Sequence, residues 1–267
     1  MPAPMTRPEA VLLDVGGVFL LPTHHRVVGA FERAGCAVSP DILDRAHYVA
    51  AAAFTTELDA LDDWAACWRL YLDAYVEACG VDPAVTRDEI HRHLDSEFAD
   101  AALWLEPVAG SKQGVAALAA TGVKLGIVSN ADGVMGERLR QLEIVQVGPG
   151  VGTEVGCVID SGAVGFLKPD PRIFKLALDA LEVGDPASAW YVGDIPGIDM
   201  VGAQRAGMRA ICMDPLGLHH DAGYDRVASL AEVAEWVRST DGGSSASSSS
   251  DHTMTHADDS PARSSAS

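Results

Sequence analysis

Four short stretches of this chain carry side chains suited to chemistry as well as to packing: Asp14-Val-Gly-Gly-Val18, Ser129-Asn130, Lys168-Pro-Asp-Pro171, and Gly193-Asp194 with Asp199. Together they supply carboxylates that can hold a cation, an ammonium that can neutralise an anion, and a hydroxyl beside an amide. Each has an ordinary structural use when taken alone. An Asp at a strand end caps or turns, Ser-Asn and Gly-Asp are turn formers, and a Lys before Pro is usually solvated. The ordered set is what points to a site: apolar run then Asp, apolar run then Ser-Asn, Lys before a Pro-opened helix, apolar run then Gly-Asp with a further Asp following.

Only a fold can unite Asp14 with Asp194, which stand 180 residues apart. Short apolar, β-branched runs at Ala10–Leu13, 123–128, 190–192 and 210–213 alternate with helical stretches, as in an α/β fold with a parallel sheet flanked by helices. In such a sheet the carboxyl ends of the strands converge on one crevice, and all four stretches lie at those ends or at a helix start. Asp170 followed by Pro171 opens a helix over 172–181, and Ser229-Leu-Ala-Glu232 is a capping box for a last helix running to about Arg238. Residues 21–106 break the pattern, because no strand signal appears and helix starts recur at Ser39-Pro40 and Thr86-Arg-Asp-Glu89. These 86 residues read as a helical module over the carboxyl end of the first strand, with Leu61, Trp64, Trp68, Tyr71 and Tyr75 on one helical face as its core. From Asp241 onward, ten serines in 27 residues and almost nothing large and apolar predict a disordered tail. The His-x-x-x-His spacing of His252 and His256 within that tail carries no geometry.

A formal charge of -19 sets the electrostatic background: the surface repels nucleic acid and anionic lipid, so neither is an expected partner. An anionic substrate would need local positive charge from a metal, a lysine or helix N-termini. The odd, widely spaced cysteines Cys36, Cys67, Cys79, Cys157 and Cys212 fit reduced, buried thiols of a cytoplasmic protein. The apolar stretch 11–21 is split by Asp14 and two glycines and is not read as a secretory leader, and no run approaches the roughly 18 apolar residues of a membrane helix.

The order of the four stretches resembles the haloacid dehalogenase superfamily of aspartate-nucleophile hydrolases. The likeness extends over nearly all of residues 10–213 and is strongest in Val158-Ile-Asp-Ser-Gly-Ala-Val-Gly-Phe-Leu-Lys-Pro-Asp-Pro-Arg-Ile-Phe174. It implies a Rossmann-like, doubly wound core (1–20 and 107–240) with an all-helical cap inserted at 21–106, and hydrolysis of a small phosphorylated metabolite with Mg²⁺. Asp14 would be the nucleophile, Ser129 and the Asn130 backbone N–H would hold phosphoryl oxygens, and Lys168 would neutralise charge on both. Asp194, Asp14 and the Gly16 carbonyl would ligate Mg²⁺, with Asp199 in the outer shell or orienting Lys168. Hard oxygen donors suit that ion. Phosphatases of the family usually carry a second aspartate, an acid and base, two residues after the nucleophile; here that position is Gly16.

The absent acid keeps two other functions in view: carbon–halogen hydrolysis of the 2-haloacid type, which in this family needs neither that aspartate nor a metal, and a non-catalytic binding or regulatory role toward phosphometabolites. Retention of Asp14, Lys168, Asp194 and Asp199 argues against the second. The glycine-rich stretch 148–156 matches no nucleotide-binding pattern and reads as a loop. His91 with Asp95, His24-His25 and His219-His220 are expected at the surface, with His24 or His25 the histidines nearest the site.

Overall fold

The computed structural model describes residues 6–54, 64–81, 87–220 and 223–241. Leu61, Thr86 and the stretch beyond Asp241, with His252 and His256, lie outside the described residues, as does the side chain of Trp64.

The core is a six-stranded, wholly parallel sheet of β1 (Ala10–Leu13), β2 (Lys124–Ser129), β3 (Cys157–Asp160), β4 (Ala189–Gly193), β5 (Arg209–Met213) and β6 (Asp225–Val227). Their spatial order is β6-β5-β4-β1-β2-β3, the doubly wound arrangement, with β1 and β4 adjacent where the order reverses. Successive β1 residues face opposite layers, as the two-residue strand period requires. Val11 and Leu13 join Val115, Leu118, Leu139 and Val233 in one core, while Ala10 and Leu12 join Ile173, Phe174, Tyr191 and Ala203 in the other.

Three of the four expected strands lengthen by a residue or two, or shift by one, and β1 falls where the sequence places it. Two strands of this sheet were not anticipated. β3 is a short run that ends at once in a helix cap, the Asp160 carboxylate accepting from the Gly162 N–H. β6 is a three-residue edge strand, too brief for periodicity. The Asp170 cap is as expected, its carboxylate accepting from the Arg172 N–H at the head of Pro171–Ala180. Ser229 caps as read, its Oγ accepting from Glu232 N–H, whereas Glu232 reaches one residue past the cap to accept from Ala228 N–H; the helix runs on to Asp241.

Beyond β1 the chain forms α1 (His24–Arg33), α2 (Leu43–Ala53), α3 (Trp64–Ala78) and α4 (Arg87–Phe98) around an apolar centre that includes Phe31, Leu43, Tyr71, Tyr75, Ile90 and Leu94. Contrary to the strandless reading of 21–106, its two ends form an antiparallel ribbon, Leu20–Pro22 against Trp104–Pro107. The chain leaves the sheet and returns to it through that ribbon, so the helical cap is tethered beside the carboxyl end of β1. The stretch read as a loop at 148–156 contains a short strand as well, Thr153–Val155 paired with Val145–Val147. The five cysteines, four of them buried, form no disulfides.

Candidate active site

Asp14 and Asp194 each follow the last residue of a strand, β1 and β4, at the switch point of the sheet. The Asp14 N–H donates to the Val192 carbonyl at 2.8 Å, which registers one loop against the other. Two glycines allow the close approach. Gly17 has φ +63, and a Cβ there would fall 2.2 Å from Asp194 Oδ2; a Cβ on Gly193 would fall 2.4 Å from Asp199 Cγ. Asp199 lies on a π-helical turn, Pro196–Met200, a geometry often found at functional sites. Asp14, Asp194 and Asp199 are all buried, and each offers an oxygen within 4.8 Å of the others.

Lys168 closes this group. Its Nζ lies 2.6 Å from Asp14 Oδ1, 2.7 Å from Asp199 Oδ1 and 2.9 Å from the Tyr191 hydroxyl, which uses all three ammonium hydrogens. Tyr191 in turn donates to Asp199 Oδ1 at 2.9 Å. The loop carrying Lys168 is held by the Asn130 carboxamide, which accepts from Lys168 N–H at 2.8 Å and donates to Lys168 O at 3.1 Å. Ser129, the last residue of β2, is buried at the same sheet edge.

Three carboxylates face one ammonium, a formal excess of two negative charges in a buried site. Burial raises the Asp14 carboxyl to about 8; Lys168 pulls it down, while Asp199 and Asp194 push it further up. Burial also opposes the Lys168 charge, but Asp14 and Asp199 outweigh that and leave its pKa above the ordinary value. Asp194 is raised as well, by burial before all else. Asp194 Oδ1 is buried and has no hydrogen-bond partner. An orphaned hard oxygen, two neighbouring carboxylates and a twofold charge deficit together fit a divalent cation.

The cap reaches this cluster through residues that the four stretches do not include. His47 of α2, fully buried, brings Nε2 to 2.7 Å from Asp194 Oδ2 and Nδ1 to 2.9 Å from the Tyr71 hydroxyl. The neighbouring Tyr48 hydroxyl donates to the Gly17 carbonyl at 2.7 Å. Trp104 from the ribbon lies edge-on to His47, and its Cζ3 is 3.2 Å from where a Cβ on Gly16 would be. A signal for His47 did exist: it lies within the apolar stripe Leu43, Ala46 and Ala50, and a polar residue at a core position calls for a partner.

The other histidines fall elsewhere. His24 is bonded to Asp44 at 2.7 Å, and His25 is exposed. His91, expected at the surface, is buried, touching Arg69 and lying 3.3 Å from Asp73; Asp95 instead accepts from Trp68 Nε1 at 2.9 Å. Burial lowers the His91 pKa. His219 packs with Tyr224 beside Asp214. Tyr71 and Tyr75 do lie in the cap core, with Trp68 stacked on Tyr71 at 4.8 Å between ring centres.

The family model of the haloacid dehalogenase-like hydrolases matches residues 8–207. The chain belongs to this family. Among curated members it is similar to haloacid dehalogenase-like hydrolase domain-containing protein 3 of Mus musculus, 34% identical over 131 residues, 49% of each chain. It is also similar to a phosphoserine phosphatase of Thermus thermophilus, 47% identical over 68 residues, 26% of this chain and 27% of that one. The chain thus spans about half or less of the length of these relatives. Among solved structures a haloacid dehalogenase-superfamily hydrolase from Ehrlichia chaffeensis superposes with a TM-score of 0.52 at 13% identity, over 88% of this chain and 98% of that one, a likeness of fold. No helix among the described residues is long and apolar enough to cross a membrane.

Proposed function

We propose that the chain is a Mg²⁺-dependent phosphomonoester hydrolase that acts on a small phosphorylated metabolite through an aspartyl-phosphate on Asp14. The observation that carries this reading is the acid excess around Asp194 Oδ1, which suits a cation-requiring reaction and has no use in metal-free carbon–halogen hydrolysis. Asp14, Asp194 and the Gly16 carbonyl would hold the ion. When bound it would supply positive charge against the phosphoryl oxygens.

The side chains divide the remaining work. An Asp14 oxygen attacks phosphorus as the ester P–O bond breaks; water then displaces the carboxylate from phosphorus, releasing inorganic phosphate and restoring Asp14. Lys168, held by Asp199 and Tyr191, balances charge on Asp14 and on the phosphoryl group. Ser129 Oγ and the Asn130 N–H hold phosphoryl oxygens, the Asn130 side chain being committed to the Lys168 backbone. Position 16 brings no acid, so the departing oxygen takes its proton from the cap or from water. Substrates with stable leaving anions, namely acyl, aryl or anomeric phosphates, are therefore favoured over esters of simple primary alcohols.

The test is a screen of sugar phosphates, nucleotides and glycolytic intermediates with and without Mg²⁺, run beside Asp14→Asn. Turnover that needs Mg²⁺ and vanishes in the variant is expected. Undiminished turnover in Asp14→Asn ends this assignment, and halide release from 2-haloacids in EDTA would put carbon–halogen hydrolysis in its place.

A further inference from the structure

Two hydrogen bonds from α2 reach the sheet edge at the cation cluster, beside apolar packing of Ile195 and Ile198 against the cap core. His47 bonds Asp194 in the loop after β4, and Tyr48 bonds Gly17 in the loop after β1, so adjacent residues of one cap helix grip both loops. An ionised carboxylate can only accept, so His47 Nε2 is the donor to Asp194 Oδ2, and in the neutral ring Nδ1 then accepts from the Tyr71 hydroxyl. Tyr71 thereby fixes the ring. With Oδ2 engaged, rotation of the Asp194 carboxylate is arrested, and the oxygen left without a partner is Oδ1.

We propose that His47 is a positioning residue that orients Asp194 for the cation from the cap, so that cap docking and cation binding depend on each other. The inference rests on the reading of Asp194 as a cation ligand and adds to it a coupling between two parts of the fold. Hydrogen-bond partners behind a metal-binding carboxylate are typically worth about 10- to 100-fold in affinity. Here that partner belongs to a different layer of the molecule from the carboxylate. Linkage then works in both directions: a cap held away weakens the cation, and a bound cation holds α2 down.

The test is calorimetric titration of the full, EDTA-stripped and desalted chain with Mg²⁺ alone, without substrate. Wild type should bind, His47→Ala should bind about 10- to 100-fold more weakly, and His47→Gln, whose amide N–H reaches nearly as far as Nε2, should recover most of the loss. A purely structural role for His47 does not predict that rescue. If His47→Ala fails to fold, the Gln variant and a second measurement carry the test: hydrogen exchange across residues 43–53 of wild type should slow when Mg²⁺ is added. An unchanged Kd in a folded His47→Ala, or exchange indifferent to Mg²⁺, overturns the coupling while leaving the phosphatase reading intact. Absence of Mg²⁺ binding in wild type overturns the cation reading itself, and the coupling with it.

Discussion

Two clusters in this molecule set carboxylates against cationic side chains to opposite effect. In the cap, Glu97 receives Arg26 at 2.7 Å and Arg33 at 2.6 Å, and Arg26 also pairs with Asp100 at 2.9 Å, so two guanidiniums meet two carboxylates. Burial opposes the Glu97 charge, but the two arginines outweigh it and hold its pKa below the ordinary value. At the sheet edge one lysine meets three carboxylates, and Asp14 is driven the other way, to about 8. A cluster that balances itself stabilises the fold and asks for nothing more. One left with excess acid in a buried site is held in tension by the surrounding fold, which a cation would relieve.

The largest break in this contrast comes from Lys168. Lys168→Met leaves Asp14 and Asp199 buried without a counter-charge, which should cost about 3–5 kcal/mol in urea unfolding and abolish turnover. Asp14→Asn should also abolish turnover but act oppositely on stability. Because the folded-state pKa of Asp14 is raised, its favourable contribution is complete below pH 4 and is lost as pH rises toward about 8. Without divalent cation, Asp14→Asn should therefore have a higher Tm than wild type at pH 9, and the gap should close as pH falls. A lower Tm for the variant throughout would mean that the acid excess is not a source of instability.

Gly16 sharpens the same contrast at the level of chemistry. Its φ lies outside the left-handed range, unlike that of Gly17, so an aspartate at 16 meets no backbone obstacle; its obstacle is the Trp104 ring, 3.2 Å from the new Cβ. Gly16→Asp with Trp104→Phe should restore part of the about 10²- to 10⁴-fold that general acid catalysis contributes, and only for poor leaving groups. A plot of log kcat/KM against leaving-group pKa should be steep in wild type and flatter in the double variant. A flat wild-type plot, with chemistry shown to be rate-limiting, would mean that a group already present supplies the proton, and His47, rather than His24 or His25, is the histidine placed to be examined first.

Why these residues differ in visibility from the sequence follows from the range of the contacts that place them. Asp14, Ser129, Lys168, Asp194 and Asp199 stand at strand ends or a helix start, where a short apolar run and the residue after it reveal both the element and the position. β6 escaped because a three-residue edge strand has no period to read, and β3 because its four residues follow the glycine-rich stretch and end at once in a helix cap. His47 escaped for a different reason: its partner is 147 residues away, and the approach of α2 to the β4 loop depends on cap docking, which no local pattern encodes. Tyr191 reads as one more apolar strand residue, and only the fold shows its hydroxyl beneath Lys168.

The smallest expected effect lies in the balanced cluster and tests the other side of the comparison. The Glu97 side chain is only 15% exposed, but Arg26 and Arg33 are 27% and 46% exposed, so solvent screens the pairs and Glu97→Gln should cost about 1 kcal/mol at pH 7. Glu97 is depressed in the folded state, so its contribution is present above the ordinary glutamate pKa of 4.5 and fades as pH falls through its lower folded value. Tm curves of wild type and Glu97→Gln should therefore run apart at neutral pH and converge in acid, as those of the Asp14→Asn pair do, but with the wild type rather than the variant the more stable. High salt should narrow the neutral-pH gap, since partly exposed charges are screened. A gap that persists at pH 3 would show that Glu97 acts by packing between α1 and α4, and the cap cluster would then be no electrostatic counterpart to the site.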